Sequence, residues 1–174
     1  MRVTRFLPFL FSAALLLWAG GCMNYQLGTM LPPDIETVHV PTVQNRTEEP
    51  LLKDEVTRAV LAELQQDGSL RISDEQDADT VLHVELVHYD LQPLSYSDSN
   101  RARPNEYRLV LQAVVELVRR DTGKVLVRSG RLEGRSTFEL SGDLTAGKRR
   151  GLPEASRDLG RKIVSAVTEA WPDE

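Results

Sequence analysis

The sequence contains 174 residues, of which 41% are hydrophobic and 27% are charged, and its formal net charge is −5 at pH 7. This length and composition predict one globular domain with a real hydrophobic core, and they disfavour intrinsic disorder and a disulfide scaffold. The acidic balance provides no long-range attraction to nucleic acid or to a bare anionic membrane. A single cysteine, Cys22, excludes an internal disulfide and most thiolate metal sites.

Residues 1–21 have the organisation of a bacterial export signal. A basic start precedes an almost unbroken apolar run from Phe6 to Ala19, which at 14 residues is shorter than the roughly 20 that span a bilayer as a helix. The sequence AGGC at 19–22 resembles a lipobox, in which the leader is cut before the cysteine and the cysteine is lipidated. We therefore expect residues 1–21 to be a lipoprotein signal peptide and Cys22 to be the lipidation site. The alternative is an ordinary secreted protein with a free thiol.

We expect removal of residues 1–21 to change the formal charge of the chain, and the lipidated residue that follows to hold the domain at a membrane. Residues 1–21 contain two arginines and no acidic residue, so 153 residues with 19 basic and 26 acidic side chains remain, a formal charge of −7. Met23, rather than Asp, follows the cysteine, which resembles outer-membrane sorting of lipoproteins. Residues 22–33 form a lipidated tether that extends to about 40 Å at most. We therefore expect the single domain at 34–174 to stay beside the membrane.

The first half of this domain predicts a strand, a helix and a short strand. Residues 35–43 alternate and are rich in β-formers, although Pro41 favours an edge position or an early end. Pro50 marks a helix start, and Gly68 provides its stop. Between them an apolar stripe recurs at helical spacing: Leu52, Val56, Ala59, Val60 and Leu64. A short strand is predicted at 70–72.

The second half begins with two long strands and a hairpin. Residues 80–91 alternate, and residues 107–119 show the clearest alternation in the chain. The polar, turn-rich segment 92–105 between them predicts a long exposed loop or a ragged strand end. A turn at 121–124 (DTGK) then predicts a hairpin into a strand at 125–138.

The C-terminal part predicts a flexible stretch at 141–151 and a last helix that opens at Pro153 and ends at Pro172. The element order is therefore β-α-β-β-β-β-α. Two helices with one apolar face each can bury those faces on a sheet that has one apolar side. We predict an α+β fold, a two-layer sandwich in which a mainly antiparallel sheet of four to five strands carries two helices on one face.

The opposite sheet face is half apolar, because Val110, Val114 and Val118 alternate with polar residues. Such a face could be a partner surface, or it could reflect only the suitability of β-branched residues for strands.

The usual catalytic inventory is thin. His39, His83 and His88 have no carboxylate or nucleophile partner at a recognised spacing, and phosphate loops, HExxH and nucleophile elbows are missing from the sequence. An enzyme is the weakest hypothesis, and we predict no cofactor and no metal.

The basic residues, in contrast, form clusters on an acidic background. Arginine and lysine pair well with phosphate, so these clusters could bind an anionic glycolipid, or they could simply balance the acidic residues. The three clusters are Arg101, Arg103 and Arg108; Arg128, Arg131 and Arg135; and Lys148, Arg149 and Arg150.

A family resemblance follows from two tracts that come after the lipobox. The tract LPPDIETVHVPTVQNRTEEPLL, above all residues 35–52, and the helical segment DEVTRAVLAEL resemble the lipopolysaccharide-assembly lipoprotein family, LptE. The resemblance covers the mature chain in element order and is strongest in identity over the first tract.

The resemblance implies a two-layer α+β sandwich that catalyses no reaction and is lipid-anchored on the periplasmic side of the outer membrane. It implies a large outer-membrane β-barrel, LptD, as the partner whose lumen the protein plugs, and lipopolysaccharide as its ligand. From charge alone, we expect Arg101, Arg103, Arg128 and Arg131 to bind lipopolysaccharide. The alternative is an accessory lipoprotein of another envelope machine, such as a regulator of peptidoglycan synthases.

Overall fold

The structure is a computed structural model, and it describes residues 31–97, 100–140 and 143–169. Its elements in chain order are β1 Thr37–His39, β2 Gln44–Asn45, α1 Leu52–Asp67, β3 Arg71–Ile72, β4 Thr80–Ser97, β5 Asn100–Arg119, β6 Val125–Arg128, β7 Leu132–Glu139 and α2 Leu144–Thr168. Neither helix of this described part combines the length and the apolar character that a membrane crossing requires.

One mixed sheet forms the first layer. The strands lie in the order β3-β1-β4-β5-β6, with β2 following β1 along the edge of β4 and β7 pairing with the part of β5 that β6 leaves open. β1 runs parallel to β3 and β4, and β2 also runs parallel to β4. The long pairings of β5 with β4, β6 and β7 are antiparallel. The predicted α+β fold is confirmed.

The sheet contains seven strands, where the sequence predicted four to five, because two predicted strands are interrupted. The strand expected at 35–43 appears as β1 and β2, with Pro41 between them, and a proline cannot donate to a ladder. The strand expected at 125–138 breaks at residues 129–131. There the Ser129 hydroxyl accepts a hydrogen bond from the Val115 backbone N–H at 3.1 Å in place of a regular ladder bond.

The segment 92–105 is a hairpin arm in which β4 extends to Ser97 and β5 begins at Asn100. The prediction of a long exposed loop is therefore wrong, and the alternative prediction of a ragged strand end is confirmed. A two-stranded ribbon that projects into solvent needs no apolar face, and polar cross-strand contacts hold this one. The Ser95 hydroxyl donates to the Asn105 side chain at 2.7 Å, for example. Register shifts between Pro93 and Ser97 make the arm irregular.

A β-bulge divides β4 into two parts. The pairing with β5 shifts between Leu86 and His88, so Val87 has no direct partner. Before the bulge the even-numbered residues face the core, and after it the odd-numbered residues do, beginning with Tyr89.

Helix α1 begins at Leu52, two residues after Pro50, and ends as predicted at Gly68, which adopts the left-handed conformation with φ 74°. Helix α2 begins at Leu144, where the Asp143 carboxylate caps it by accepting the Ala146 N–H at 2.7 Å. The predicted helix start at Pro153 is therefore wrong, and Pro153 lies inside the helix.

The glycines that suggested flexibility at 141–151 serve close packing instead. A Cβ on Gly147 would lie 2.5 Å from the Phe138 ring, and a Cβ on Gly151 would lie 2.6 Å from it. Both positions are thus helical residues whose missing side chains allow α2 to approach β7. The predicted end at Pro172 lies outside the described residues.

Both helices pack on the same face of the sheet, as predicted. One core cluster joins inward residues of β4 and β5 to the apolar stripes of the two helices, and its fully buried members include Leu82, Leu86, Leu109, Leu117, Val56, Val60, Leu64, Leu159, Ile163 and Val167. On the other side of α2, Asp158 accepts the backbone N–H of Arg135 at 2.9 Å and thereby covers part of the free edge of β7.

The segment that leads into β1 is fixed to the sheet by Asp79. This carboxylate accepts hydrogen bonds from the backbone N–H groups of Glu36 and Thr37 at 3.1 and 2.9 Å, and from the Thr37 hydroxyl at 2.7 Å. The hydrogen bond from the Thr37 hydroxyl, aided by those backbone bonds, holds the pKa of Asp79 below its ordinary value. Nearby, Asp34 forms an ion pair with Arg119 at 2.6 Å.

We expect Gly134→Ala to destabilise the fold, because the new Cβ would lie 2.4 Å from the Ala155 carbonyl oxygen and 2.5 Å from the Leu159 Cβ. Displacement of α2 should lower the free energy of unfolding by about 1–3 kcal/mol in urea denaturation. Gly130→Ala is the matched control, since open space surrounds that position, and its unfolding free energy should stay equal or rise slightly. Equal behaviour of the two variants would contradict the packing of α2 on β7.

We expect Asp79→Ala to lower the free energy of unfolding by about 1–3 kcal/mol at pH 7, because three hydrogen bonds lose their acceptor. The folded pKa of Asp79 is lowered, so its contribution is complete above its unfolded pKa of about 4 and is lost as pH falls through the folded value. The difference from wild type should therefore shrink below about pH 4. Asp77→Ala, an exposed neighbour, is the control. A difference that persists undiminished at low pH would contradict this role of the charge.

Candidate functional site

The long β4–β5 pair gives the molecule two ends. At the N-terminal end, Asp34 and Asp79 fix the incoming chain beside the start of β4 and the end of β5. At the hairpin end lie the tip of the β4–β5 arm, the end of β7 and the start of α2, where the Leu140 N–H donates to the Asn105 carbonyl at 2.7 Å. β4 from Thr80 to Ser97 corresponds to about 55 Å at full extension.

The four predicted lipopolysaccharide-binding arginines do not occupy one place. Arg128 lies on β6 and forms an ion pair with Glu116 of β5 at 2.9 Å, and Arg131 is exposed between β6 and β7. The backbone of Arg101 and Arg103 lies in β5 at the hairpin end, and the side chains of these two residues are outside the described part. Arg103 and Glu116, the ion-pair partner of Arg128, are thus about 40 Å apart along β5. Their role in binding stays a prediction, as does lipidation of Cys22, which also lies outside the described residues.

The outer sheet face is covered by its own charged residues. Val110 is only 5% exposed, and Val114 and Val118 are half-buried. Two ion pairs on this face join neighbouring segments, Arg46 with Glu85 and Arg128 with Glu116, and a third lies within β7, Arg135 with Glu133. Val110 and Val114 lie opposite Arg135 and Glu85, whereas Val118 lies between Val81 and the exposed Val125, so both interpretations of the valine pattern stay open.

The three histidines do not form a common site. His39 Nδ1 lies 3.2 Å from the Ser73 carbonyl oxygen, and His83 and His88 are exposed on the outer face. Within residues 31–97, 100–140 and 143–169, no three His, Cys, Asp or Glu side chains converge on a point that could hold a metal ion.

An apolar cavity lies at the hairpin end, between the two helix starts and the sheet. We call it the hairpin-end pocket, and its cavity volume is about 40 Å³. Its walls are mostly hydrocarbon from α1, β4, β5 and α2, and are formed by Leu51, Leu52, Tyr89, Leu109, Lys148 and Leu152. Glu49, Thr145 and Arg149 complete the lining.

Lys148 makes charge interactions with two other residues that line this pocket. Its ammonium group forms an ion pair with Glu49 at 3.0 Å and lies 5.4 Å from the centroid of the Tyr89 ring, a cation–π distance. The hydrogen bond to Glu49 raises the pKa of Lys148. Burial raises the pKa of the Tyr89 phenol, so that hydroxyl stays protonated at neutral pH. The nearby Lys148 ammonium partly opposes this rise.

A turn at residues 45–49 positions Glu49, its one residue that lines the pocket. Asn45 accepts hydrogen bonds from the Thr47 N–H and hydroxyl at 2.9 and 2.7 Å, and its amide donates to the Glu49 carbonyl at 2.7 Å. This turn holds the Glu49 side chain in reach of Lys148, 99 residues away in sequence.

The sequence pattern indicates the basic cluster 148–150 but not Tyr89 and Glu49, which contact Lys148. The Asn45-Arg46-Thr47 turn was the available signal for Glu49, because it indicates a rigid loop before a helix. No sequence pattern predicts that Tyr89 faces the core, because this orientation depends on the bulge at Val87.

The fold has solved counterparts among bacterial proteins. A protein from Xanthomonas campestris aligns with TM-score 0.54 at 10% identity, covering 79% of this chain and 87% of its own. A minor lipoprotein from Acinetobacter baumannii aligns with TM-score 0.52 at 14% identity over 76% and 92% of the two chains. A putative lipoprotein from Caulobacter crescentus gives 0.51 at 13% identity over 75% and 88%. At these identities the likeness concerns the fold.

The sequence itself matches one family. Among curated proteins no relative matches the chain. The model of the LptE family, described as lipopolysaccharide-assembly, matches residues 35–167, which run from the start of the folded body almost to the end of α2. The chain therefore belongs to the LptE family of lipopolysaccharide-assembly proteins.

Proposed function

We propose that this protein is an outer-membrane lipoprotein, anchored by acyl chains on Cys22, that occupies the lumen of an LptD-like β-barrel and binds lipopolysaccharide during its assembly. The observation that carries the proposal is the family match over residues 35–167, which includes nearly every described element. The proposed role is one of support and binding, with no chemical step.

The shape and surface of the body support its placement in a barrel. The core is closed between one sheet face and two helices, and the other sheet face presents ion pairs, two of which join neighbouring segments. The interior of a transmembrane β-barrel is polar. A body that carries its apolar residues inside and ion pairs outside is compatible with that interior.

The attachment of the N-terminal segment supports the anchoring. Asp79 and the Asp34–Arg119 pair fix the chain at one end of the sheet. A tether of residues 22–33 reaches about 40 Å at most. One acyl chain gives marginal membrane affinity, and two or more make attachment effectively permanent. The body would therefore stay where an outer-membrane barrel is.

We expect Cys22→Ala to abolish incorporation of a labelled fatty acid, because the chain has one cysteine to modify. The measurement is metabolic labelling followed by immunoprecipitation and a comparison of leader cleavage. Cys22→Ala should also keep its leader and migrate more slowly, whereas Ser12→Ala, inside the leader, should be processed normally. Label that persists in Cys22→Ala would contradict the anchor.

We expect the wild-type protein, extracted from membranes in mild detergent, to co-purify with one β-barrel much larger than itself. Depletion of the protein should lower surface lipopolysaccharide, measured by sensitivity to large antibiotics. A regulator of peptidoglycan synthesis would instead co-purify with a periplasmic synthase and leave surface lipopolysaccharide normal. Recovery of only free lipoprotein, with normal lipopolysaccharide after depletion, would contradict the proposal.

A further inference from the structure

We propose that residues 23–29, within the tether, form an additional edge strand that pairs antiparallel with β6 and covers the apolar surface around Val125. The occupant of this sheet edge is thus a segment of the same chain. The pairing does not depend on acylation of Cys22, and only its consequence for anchoring rests on the proposed function.

Strand β6 has a free edge. Its residues Val125–Arg128 pair with β5 on one side, and no strand within residues 31–97, 100–140 and 143–169 pairs with the other side. The backbone N–H and C=O groups of such an edge are ready to pair with an extended segment. The edge of β7 differs, because the Asp158 carboxylate already accepts the backbone N–H of Arg135 there. The β6 edge therefore has room for a further strand.

A row of valines crosses the outer sheet face and ends at this edge. Val81 of β4 lies opposite Val118 of β5, and Val118 lies opposite Val125 of β6. Val81 and Val118 are half-buried, whereas Val125 is 38% exposed. Side chains that lie opposite one another on neighbouring strands stabilise a sheet when both are apolar. An apolar side chain on an added strand would extend the row and bury Val125.

A pocket at this edge also contains the start of the described chain. We call it the β6 pocket, and its cavity volume is about 310 Å³. Pro32 lines it together with residues of β6 and of the turn before β6: Arg119, Asp121, Thr122, Lys124, Val125 and Leu126. Pro32 is held there because the neighbouring Asp34 forms its ion pair with Arg119. The tether therefore joins the body directly beside the free edge of β6.

The tether sequence has the alternation of a strand. Residues 23–29 read MNYQLGT, in which every second position from 23 to 27 is apolar: Met23, Tyr25 and Leu27. The positions between them are polar or glycine. Such alternation is typical of a strand with one buried side, and a segment that served only as a spacer would not need it.

Length and direction are compatible with antiparallel pairing. The five residues 27–31 extend to about 17 Å at most, so Leu27 can reach Val125 from the β6 pocket that Pro32 lines. A chain that runs towards Pro32 beside the start of β6 runs opposite to β6. The connection is short, so its closure costs little entropy and gives the segment a high effective concentration at this edge.

Charge favours this occupant over a second copy of β6. Lys124 and Arg128 lie at the two ends of β6, so antiparallel pairing of two β6 strands would place like charges opposite each other. Residues 23–29 contain no charged side chain. The same two cations therefore disfavour a second copy and leave the tether segment unopposed.

The added strand would shorten the anchor. The five residues 22–26 extend to about 17 Å at most, and they would start from β6 rather than from Pro32. Acyl chains on Cys22 would then hold the β6 edge of the body towards the bilayer, instead of allowing the body to move within about 40 Å of it.

The test is amide hydrogen–deuterium exchange of the mature protein, purified in a neutral detergent. In wild type, peptides that cover residues 23–29 should exchange at least about tenfold more slowly than a free peptide of the same sequence. Val125→Asp and Leu27→Asp place a charge in the apolar contact, so each should accelerate this exchange about tenfold. The matched controls are Ile72→Asp, at a 37% exposed position on β3, and Asn24→Asp, on the polar side of the alternation. Both should stay within about twofold of wild type.

A photocrosslinker identifies what the segment contacts. Benzoylphenylalanine in place of Leu27, irradiated in cells, should become joined to residues 124–128 of the same chain. A product of twice the mass would make a second copy the partner of this segment, and a product with a larger protein would make a barrel its partner. Either product, without the internal one, would overturn the proposal.

The remaining outcomes are equally decisive. Wild-type exchange of residues 23–29 at the rate of the free peptide would overturn the strand, as would equal exchange in Leu27→Asp and wild type. Leu27→Asp changes no residue of the described body, so it gives an answer even where thermal unfolding shows that Val125→Asp is destabilised. Protein that carries no acyl chain or that co-purifies with no barrel would contradict the proposed function, while protection of residues 23–29 would still support the strand.

Discussion

The pairing of β4 with β5 is the constraint on which the rest of the structure depends. These two strands run antiparallel from Thr80 and Arg119 to Ser97 and Asn100, and every other strand except β3 pairs with one of them. Their inward side chains form the apolar floor on which both helices lie. Because side chains alternate strictly along a strand, a slip of one residue would turn the whole floor to solvent. The register therefore determines the core, the position of α2 on β7, and the two ends of the molecule.

The bulge at Val87 makes the hairpin end different from the N-terminal end. Without it, Tyr89 and Leu91 would face outward with His83 and Glu85, and the core would end near Leu86. With it, the phenol ring enters the space between the helix starts, where Lys148 covers it at 5.4 Å. One inserted residue therefore extends the inward face of β4 with Tyr89 and Leu91, where an unbroken alternation would place His88 and Asp90.

The sequence was sufficient for the fold class because alternation and helical spacing report burial directly. The stripe of α1, its stop at Gly68, and the long inward face of β5 all followed from local pattern. The errors arose where tertiary contacts overrule composition. Gly147 and Gly151 suggested flexibility but accommodate the Phe138 ring, and the polar arm at 92–105 pairs with itself. The pocket is harder to predict from the sequence, because the Glu49–Lys148 pair joins residues 99 positions apart and the inward orientation of Tyr89 depends on a bulge.

The formal charge of −7 that we expect after removal of residues 1–21 is compatible with an anionic ligand because charge acts locally at physiological ionic strength. The Debye length there is about 8 Å, so acidic residues at the N-terminal end barely influence a phosphate at the hairpin end. Around Lys148 the balance is set by its neighbours alone, where Glu49 offsets one cation and Arg149 remains. Acidic residues elsewhere disfavour nonspecific adhesion to anionic lipid, so an anionic ligand would have to be bound by a local cluster of basic side chains.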